Sequence, residues 1–168
     1  LGALLLASGA KDSARDYLMR AYLLCTDFAL RRALRTTLLD IGGDDPALAR
    51  AVAALEARRG DHRSAVEWYD DALRLDDESG RTWLERGISL LQLEHAEEAL
   101  VSIRRAAELL PDSFSVQVRL GEALDALERA DEAQPHWVRA RAIGPPENMP
   151  EDLRAIVVER IEKRLAEG

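Results

Sequence analysis

The chain has 168 residues, with 31 acidic side chains against 23 basic ones and a formal net charge of −8 at neutral pH. That length allows one domain with a real core, and the acidic balance, with arginines interleaved among carboxylates, argues against duplex nucleic acid as a partner. The wealth of Ala, Leu, Glu and Arg, with few aromatic and β-branched residues, favours helices over strands, and Cys25, the single cysteine, excludes an internal disulfide and a thiolate metal cluster.

The opening "LGALLLASGAKD" resembles the end of a secretory signal, with Ser8 and Ala10 placed like a small-x-small cleavage site, but no charged region precedes it. There is no initiator Met either, so the chain reads as a piece of something longer. No apolar run approaches the roughly 18 residues that cross a bilayer, and no membrane insertion is expected. Next, "FALRRALRTTLLDI" sets Leu30, Leu34, Leu38 and Ile41 on one face, which predicts a helix over 28–41 ending at "GGDD".

From residue 46 onward an internal repeat governs the pattern. Ala65 with Ala72, Ala99 with Ala106, and Ala133 with Ala140 form an Ala-x6-Ala pair that recurs at a fixed interval, the length of one repeating unit. Twelve positions before each pair stand Ala53, Gly87 and Gly121, and a large residue precedes each second alanine at Tyr69, Ile103 and Trp137. Pro111 and Pro145 end two of the units, with Asp77 at that place in the other. "GPPENMPED" then breaks the chain, after which Leu153, Ile156, Val157, Ile161 and Leu165 recur at helical spacing. Glu151 and Asp152 near the start of that segment and Lys163 and Arg164 near its end suit a helix dipole.

This spacing, with Trp83 and Gly87 opening the best unit, resembles the tetratricopeptide repeat family. The resemblance implies an all-α fold, a solenoid of antiparallel helix pairs closed by a C-terminal capping helix over about 150–166. Units 46–79, 80–113 and 114–147 match well, and Leu1, Gly2, Gly9, Ala14 and Ala21 mark a partial unit within 1–28. Only half a repeat of chain lies between them, so a register slip is expected there, with 28–45 an irregular, unpaired helix. Small residues at fixed places let helix axes approach within roughly 8 to 10 Å. In the best unit Trp83, Leu90, Leu100, Ile103 and Leu109 are expected to pack around Gly87, Ala99 and Ala106, while Arg86 tolerates change. Gly60 is expected to stop its helix in the left-handed conformation, and Ser113 to cap the helix after Pro111. Glu94 and His95 stand where the first turn has Gly60 and Asp61, which makes that turn the least regular.

The chemistry is bland. His62, His95 and His136 are the only histidines, are too far apart to share a metal, and read as solvated turn residues. "DDP" and "DDES" lack the alternating ligands and glycine of a calcium loop, and there is no nucleophile elbow, phosphate loop or paired catalytic carboxylate. No enzyme, cofactor or metal is expected.

Function therefore rests on the resemblance, which implies a peptide-binding or partner-binding groove on the first helices, acting as scaffold or adaptor. Carried over residue by residue, the groove takes Ala47, Arg50, Ala54, Ala57 and Arg58 from one unit, and Arg81, Leu84, Glu85, Ile88, Leu91 and Gln92 from the next. The last contributes Ser115, Val118, Arg119, Glu122 and Asp125. Relatives that grip a chaperone's C-terminal carboxylate use asparagines where this chain has Ala54 and Glu85, and Asn148 is its only Asn, which argues against that role. The expected ligand is an extended or helical segment with apolar anchors and one or two acidic residues. The arginines could instead pair with Glu85 and Glu122. Two other classes stay open: an assembly segment that makes a homo-oligomer, and a regulatory part of a larger enzyme. Arginine used almost to the exclusion of lysine suggests a GC-rich bacterial genome. The cytoplasm is the default compartment, with the periplasm as the alternative.

Overall fold

A computed structural model describes residues 9–42 and 45–167. Leu1 and Gly2 of the expected partial unit lie outside them. The described residues form helices and no strand: α1 Lys11–Leu24, α2 Phe28–Gly42, α3 Pro46–Arg58, α4 His62–Leu75, α5 Gly80–Gln92, α6 Ala96–Leu109, α7 Phe114–Ala126, α8 Ala130–Ile143 and α9 Glu151–Glu167. Each odd helix packs on the even one that follows, and each even helix on the next odd one after α3.

Local chemistry sets the helix ends. Asp45, Asp61, Ser79 and Ser113 each accept a backbone N–H of the first turn of α3, α4, α5 and α7, satisfying a donor that the helix cannot. Gly60 follows α3 with φ +82°, as expected of a left-handed stop. Glu94 and Glu128, at the same place in the next two units, take the same conformation at φ 62° and 57°. The turn at Glu94 is thus as regular as the others, although a side chain sits where glycine is favoured.

The expected register slip is not found. The helices α2, α4, α6 and α8 begin at Phe28, His62, Ala96 and Ala130, while α1, α3, α5 and α7 end at Leu24, Arg58, Gln92 and Ala126, so both series keep one constant interval. α2 is paired with α1 rather than unpaired. Counting back one unit from Ala53, Ala65 and Ala72 gives Met19, Arg31 and Leu38, so the small positions of this pair hold large side chains and the alanine spacing passes over it. With bulk between them, α1 and α2 stay in close approach over a shorter length than the later pairs.

Charge joins this pair to the next. The Arg31 guanidinium donates to Glu56 at 2.5 Å and Asp61 at 2.7 Å, and Arg35 donates to Glu67 at 2.6 Å and to Asp71. Arg31 lies 4.9 Å from the centre of the Tyr22 ring, and Arg35 lies 5.6 Å from that of Trp68. The two rings meet edge to face at 5.4 Å, and the Trp68 indole N–H donates to the Tyr22 hydroxyl at 2.7 Å. Burial alone would lower the pKa of Arg31, but Glu56 and Asp61 hold it above its ordinary value.

The small residues of the later units do what close packing requires. Ala53, Ala65, Ala99, Ala106, Ala133 and Ala140 are buried. A Cβ added at Gly87 would sit 2.5 Å from Ile103 Cγ1, and one at Gly121 would sit 2.4 Å from Trp137 Cε2. Trp83 and Leu109, expected in the core, are only half-buried, and Trp83 donates its indole N–H to the Asp77 carbonyl. Arg86 is less free than expected, since it donates to Asp70 at 2.6 Å and to Ser102 at 2.6 Å.

His136 is not a solvated turn residue. It lies inside α8, half-buried, with Nδ1 2.9 Å from the Gln117 side-chain oxygen. Burial, with Arg104 and Arg139 facing it against Glu132, lowers its pKa below 6.5. Its neutral form is therefore favoured by folding. The resulting stability is present in full above pH about 6.5 and is lost as the pH falls toward the lower folded value. In thermal melts at pH 7.5 and 5.5, His136→Gln is expected to lose less stability on acidification than the parent chain, and an equal loss in both would remove His136 from the acid response.

Candidate functional site

The first helices of successive pairs touch one another directly, α3 with α5 and α5 with α7, whereas the second helices stand further apart. The chain is therefore concave on the first-helix side. There α5 and α7 enclose a cleft of about 250 Å³ lined by Arg81, Leu84, Glu85, Ile88, Phe114, Ser115, Val118 and Arg119, with Met149 and Val157 at its far wall. Seven of the expected groove residues, Arg81, Leu84, Glu85, Ile88, Ser115, Val118 and Arg119, are thus brought together.

The others fall around that cleft. Leu91 is half-buried and off its wall, as are Arg50 and Ala54 on α3. Leu84 and Val118 are only 9% and 5% exposed, so the apolar strip is more covered than its spacing suggests. Arg81 donates to Glu85 at 2.8 Å, and Arg119 donates to Glu122, which also accepts from Arg160 of α9. The pairing of arginines with Glu85 and Glu122 is thus the one the structure adopts. Among the described residues, Arg50 and Arg58 have no carboxylate within 4.0 Å. Tyr69 reaches this region from α4, and burial followed by the Glu85 charge raises its pKa, while Arg81 and Arg58 oppose the rise. The face thus runs from an arginine-bearing end at α3 to an apolar end between α5 and α7.

Met149, Val157, Arg160 and Arg164 were not assigned to the site by sequence. The apolar spacing that includes Val157 gives a helix, yet not where that helix lies. Among the described residues no three His, Cys, Asp or Glu side chains come together as metal ligands. A larger cleft, about 580 Å³, opens between α2 and α4 on the opposite side. It is the weaker candidate as a seat for apolar anchors, because Leu39 and Leu75 are its apolar lining, against Leu84, Ile88, Phe114, Val118, Met149 and Val157 in the cleft between α5 and α7.

No family model matches the chain. Over 92 residues, 55% of this chain and 16% of the other, it is 35% identical to "Protein STIP1 homolog" from Dictyostelium discoideum, so it spans about a sixth of that relative's length. Solved structures carry the comparison further. The TPR2B domain of yeast Sti1, in its complex with pHsp70, superposes with a TM-score of 0.63 at 20% identity over 73% of this chain and 96% of that one. PcrH, in complex with the chaperone-binding region of PopD, gives a TM-score of 0.64 at 21% identity over 72% and 91%. The chain has the tetratricopeptide-repeat fold. In tetratricopeptide terms α1/α2, α3/α4, α5/α6 and α7/α8 are the helix pairs, and α9 follows the last of them. No helix among the described residues of this tetratricopeptide fold is long and apolar enough to cross a membrane.

Proposed function

We propose that the concave face is a protein-interaction site that holds a peptide or partner segment bearing apolar anchors and one or two acidic residues. The carrying observation is the cleft between α5 and α7, where Ile88 and the rims of Leu84 and Val118 offer apolar surface beside Arg81 and Arg119. Arg50 and Arg58 extend the basic side of the same face without carboxylate partners among the described residues. Arginine meets carboxylates through two parallel hydrogen bonds, and apolar anchors at the centre of the contact supply most of the affinity. The two solved neighbours, each in complex with a partner segment, support this use of the fold. The cytoplasm is the compartment we assign to the module.

Leu84 is too buried to test this cleanly, since a charge there would unsettle the core. Ile88 is half-buried and serves better. In fluorescence titrations against a peptide array that varies apolar and acidic positions, the full chain is expected to select peptides with both features. Ile88→Asp is expected to weaken the selected peptides at least about tenfold, and Arg50→Glu to weaken them more at low salt than at high. Unchanged affinity in both variants, with helix content retained, would move the site off this face.

A further inference from the structure

α9 does more than cover the last helix pair. Arg160 donates to Glu122, and Arg164 Nε lies 3.1 Å from the Asp125 carboxylate. Glu122 and Asp125 are the α7 positions that the family resemblance gives to a ligand, and Val157 and Met149 close the cleft that holds Val118 and Ile88. A helix of this chain therefore makes, on the last pair's inner face, the contacts a bound segment would make.

The seat is loosely filled. Of the 17 residues of α9, Ile161 is the one that is fully buried, at 2% exposure. The Arg160 and Arg164 side chains stay 47% and 45% exposed, and a cleft of about 330 Å³ remains between them and Glu122, Asp125, Ala126 and Trp137. Leu153 and Ile156, half exposed, contribute little to the docking. Elements with few buried apolar contacts open locally at low cost, and "GPPENMP", with no helix of its own, links α9 to α8, with Arg154 of α9 donating to its Pro146 and Glu147 carbonyls.

We propose that α9 is an internal ligand of the concave face, displaced by a partner helix of its own chemistry. The pattern it defines is an apolar residue at each of two positions four apart, like Val157 and Ile161, with arginine or lysine three residues after each, like Arg160 and Arg164. The acidic pair on α7 selects the basic residues, and the apolar wall takes the rest. This rests on the concave-face reading above and adds a second ligand character at its C-terminal end, basic where the α3 end favours acidic.

The test is a fluorescent peptide of residues 147–167, titrated into the full chain and into its Arg160→Glu/Arg164→Glu variant. In the parent chain the tethered α9 competes at high effective concentration, so the peptide is expected to bind the variant about 100-fold more tightly. A peptide carrying the same two glutamates is expected to lose that binding. Ile161→Asp frees the seat by another route and is expected to behave like the double variant. Equal binding to all chains, no binding to either variant, or equal binding of the glutamate peptide would overturn the proposal. These contacts lie on α7 and do not involve α3, so a failure here leaves the Arg50 result standing, and the reverse.

Discussion

Gly121→Leu is expected to lower stability by about 3 kcal/mol, at the upper end of what overpacking costs. The reason is the identity of the neighbour: the added Cβ meets three atoms of the Trp137 ring between 2.4 and 2.7 Å, and Trp137 is itself 1% exposed. A rigid ring pinned on its far side cannot turn away, so α7 and α8 must separate. Gly87→Leu meets the smaller aliphatic side chain of Ile103 instead, with one atom closer than 3 Å rather than three atoms of a ring, and is expected to cost less. Arg86, tied to Asp70 and Ser102, is a poor control; exposed Ser115 on α7 is a good one. In thermal melts the Gly121 variant should unfold about 6 to 12 °C below the parent, with Ser115→Leu close to it. A loss below about 1 kcal/mol at Gly121 would mean that α7 and α8 are not held at this distance.

The second large effect is expected at the joint between the first two helix pairs. Glu56 is fully buried, and its closest cation is Arg31, with Arg59 at 3.6 Å. Arg31→Met strands that carboxylate and is expected to cost about 3 to 5 kcal/mol. Adding Glu56→Leu removes the stranded charge, and the double variant should recover most of the loss, because a buried ion pair seldom stabilises more than apolar side chains of the same volume. Urea titration of the parent, both singles and the double gives the coupling directly. If the double variant is no more stable than Arg31→Met alone, the pair holds the joint in a way that apolar packing does not replace.

How much of this was legible depended on which interaction made each contact. Close helix approach requires small residues at fixed places, so Ala65, Gly87 and Ala106 carry their structural role in their spacing, and the three regular units could be read from it. At the first pair the small places hold Met19, Arg31 and Leu38 and the close approach is shorter, and an arginine network leaves no period of its own, since Arg31 and Arg35 find partners set by the fold alone. The partial unit expected within 1–28 is therefore out of register: Ala14 and Ala21 lie on the first helix of the pair, not at the alanine places of the second. The groove divides in the same way. Leu84, Ile88 and Val118 follow from the family resemblance carried over residue by residue, but Met149 and Val157 enter it only because the chain turns back after Gly144, which no local pattern announces.

That arginine network also bears on the order in which the chain acquires its shape during synthesis. α1 and α2 leave the ribosome before α3 and α4, yet the carboxylates that seat Arg31 and Arg35 lie 25 to 36 residues later, on α3, the turn after it and α4. Domains usually settle from the N-terminus as they emerge. Here Arg31 stays unpaired until α3 and the turn after it are made, and Arg35 until α4 is. The earlier pair is fully anchored only after its successor has been built, and a stall in translation within α4 would leave Arg35 without Glu67 and Asp71.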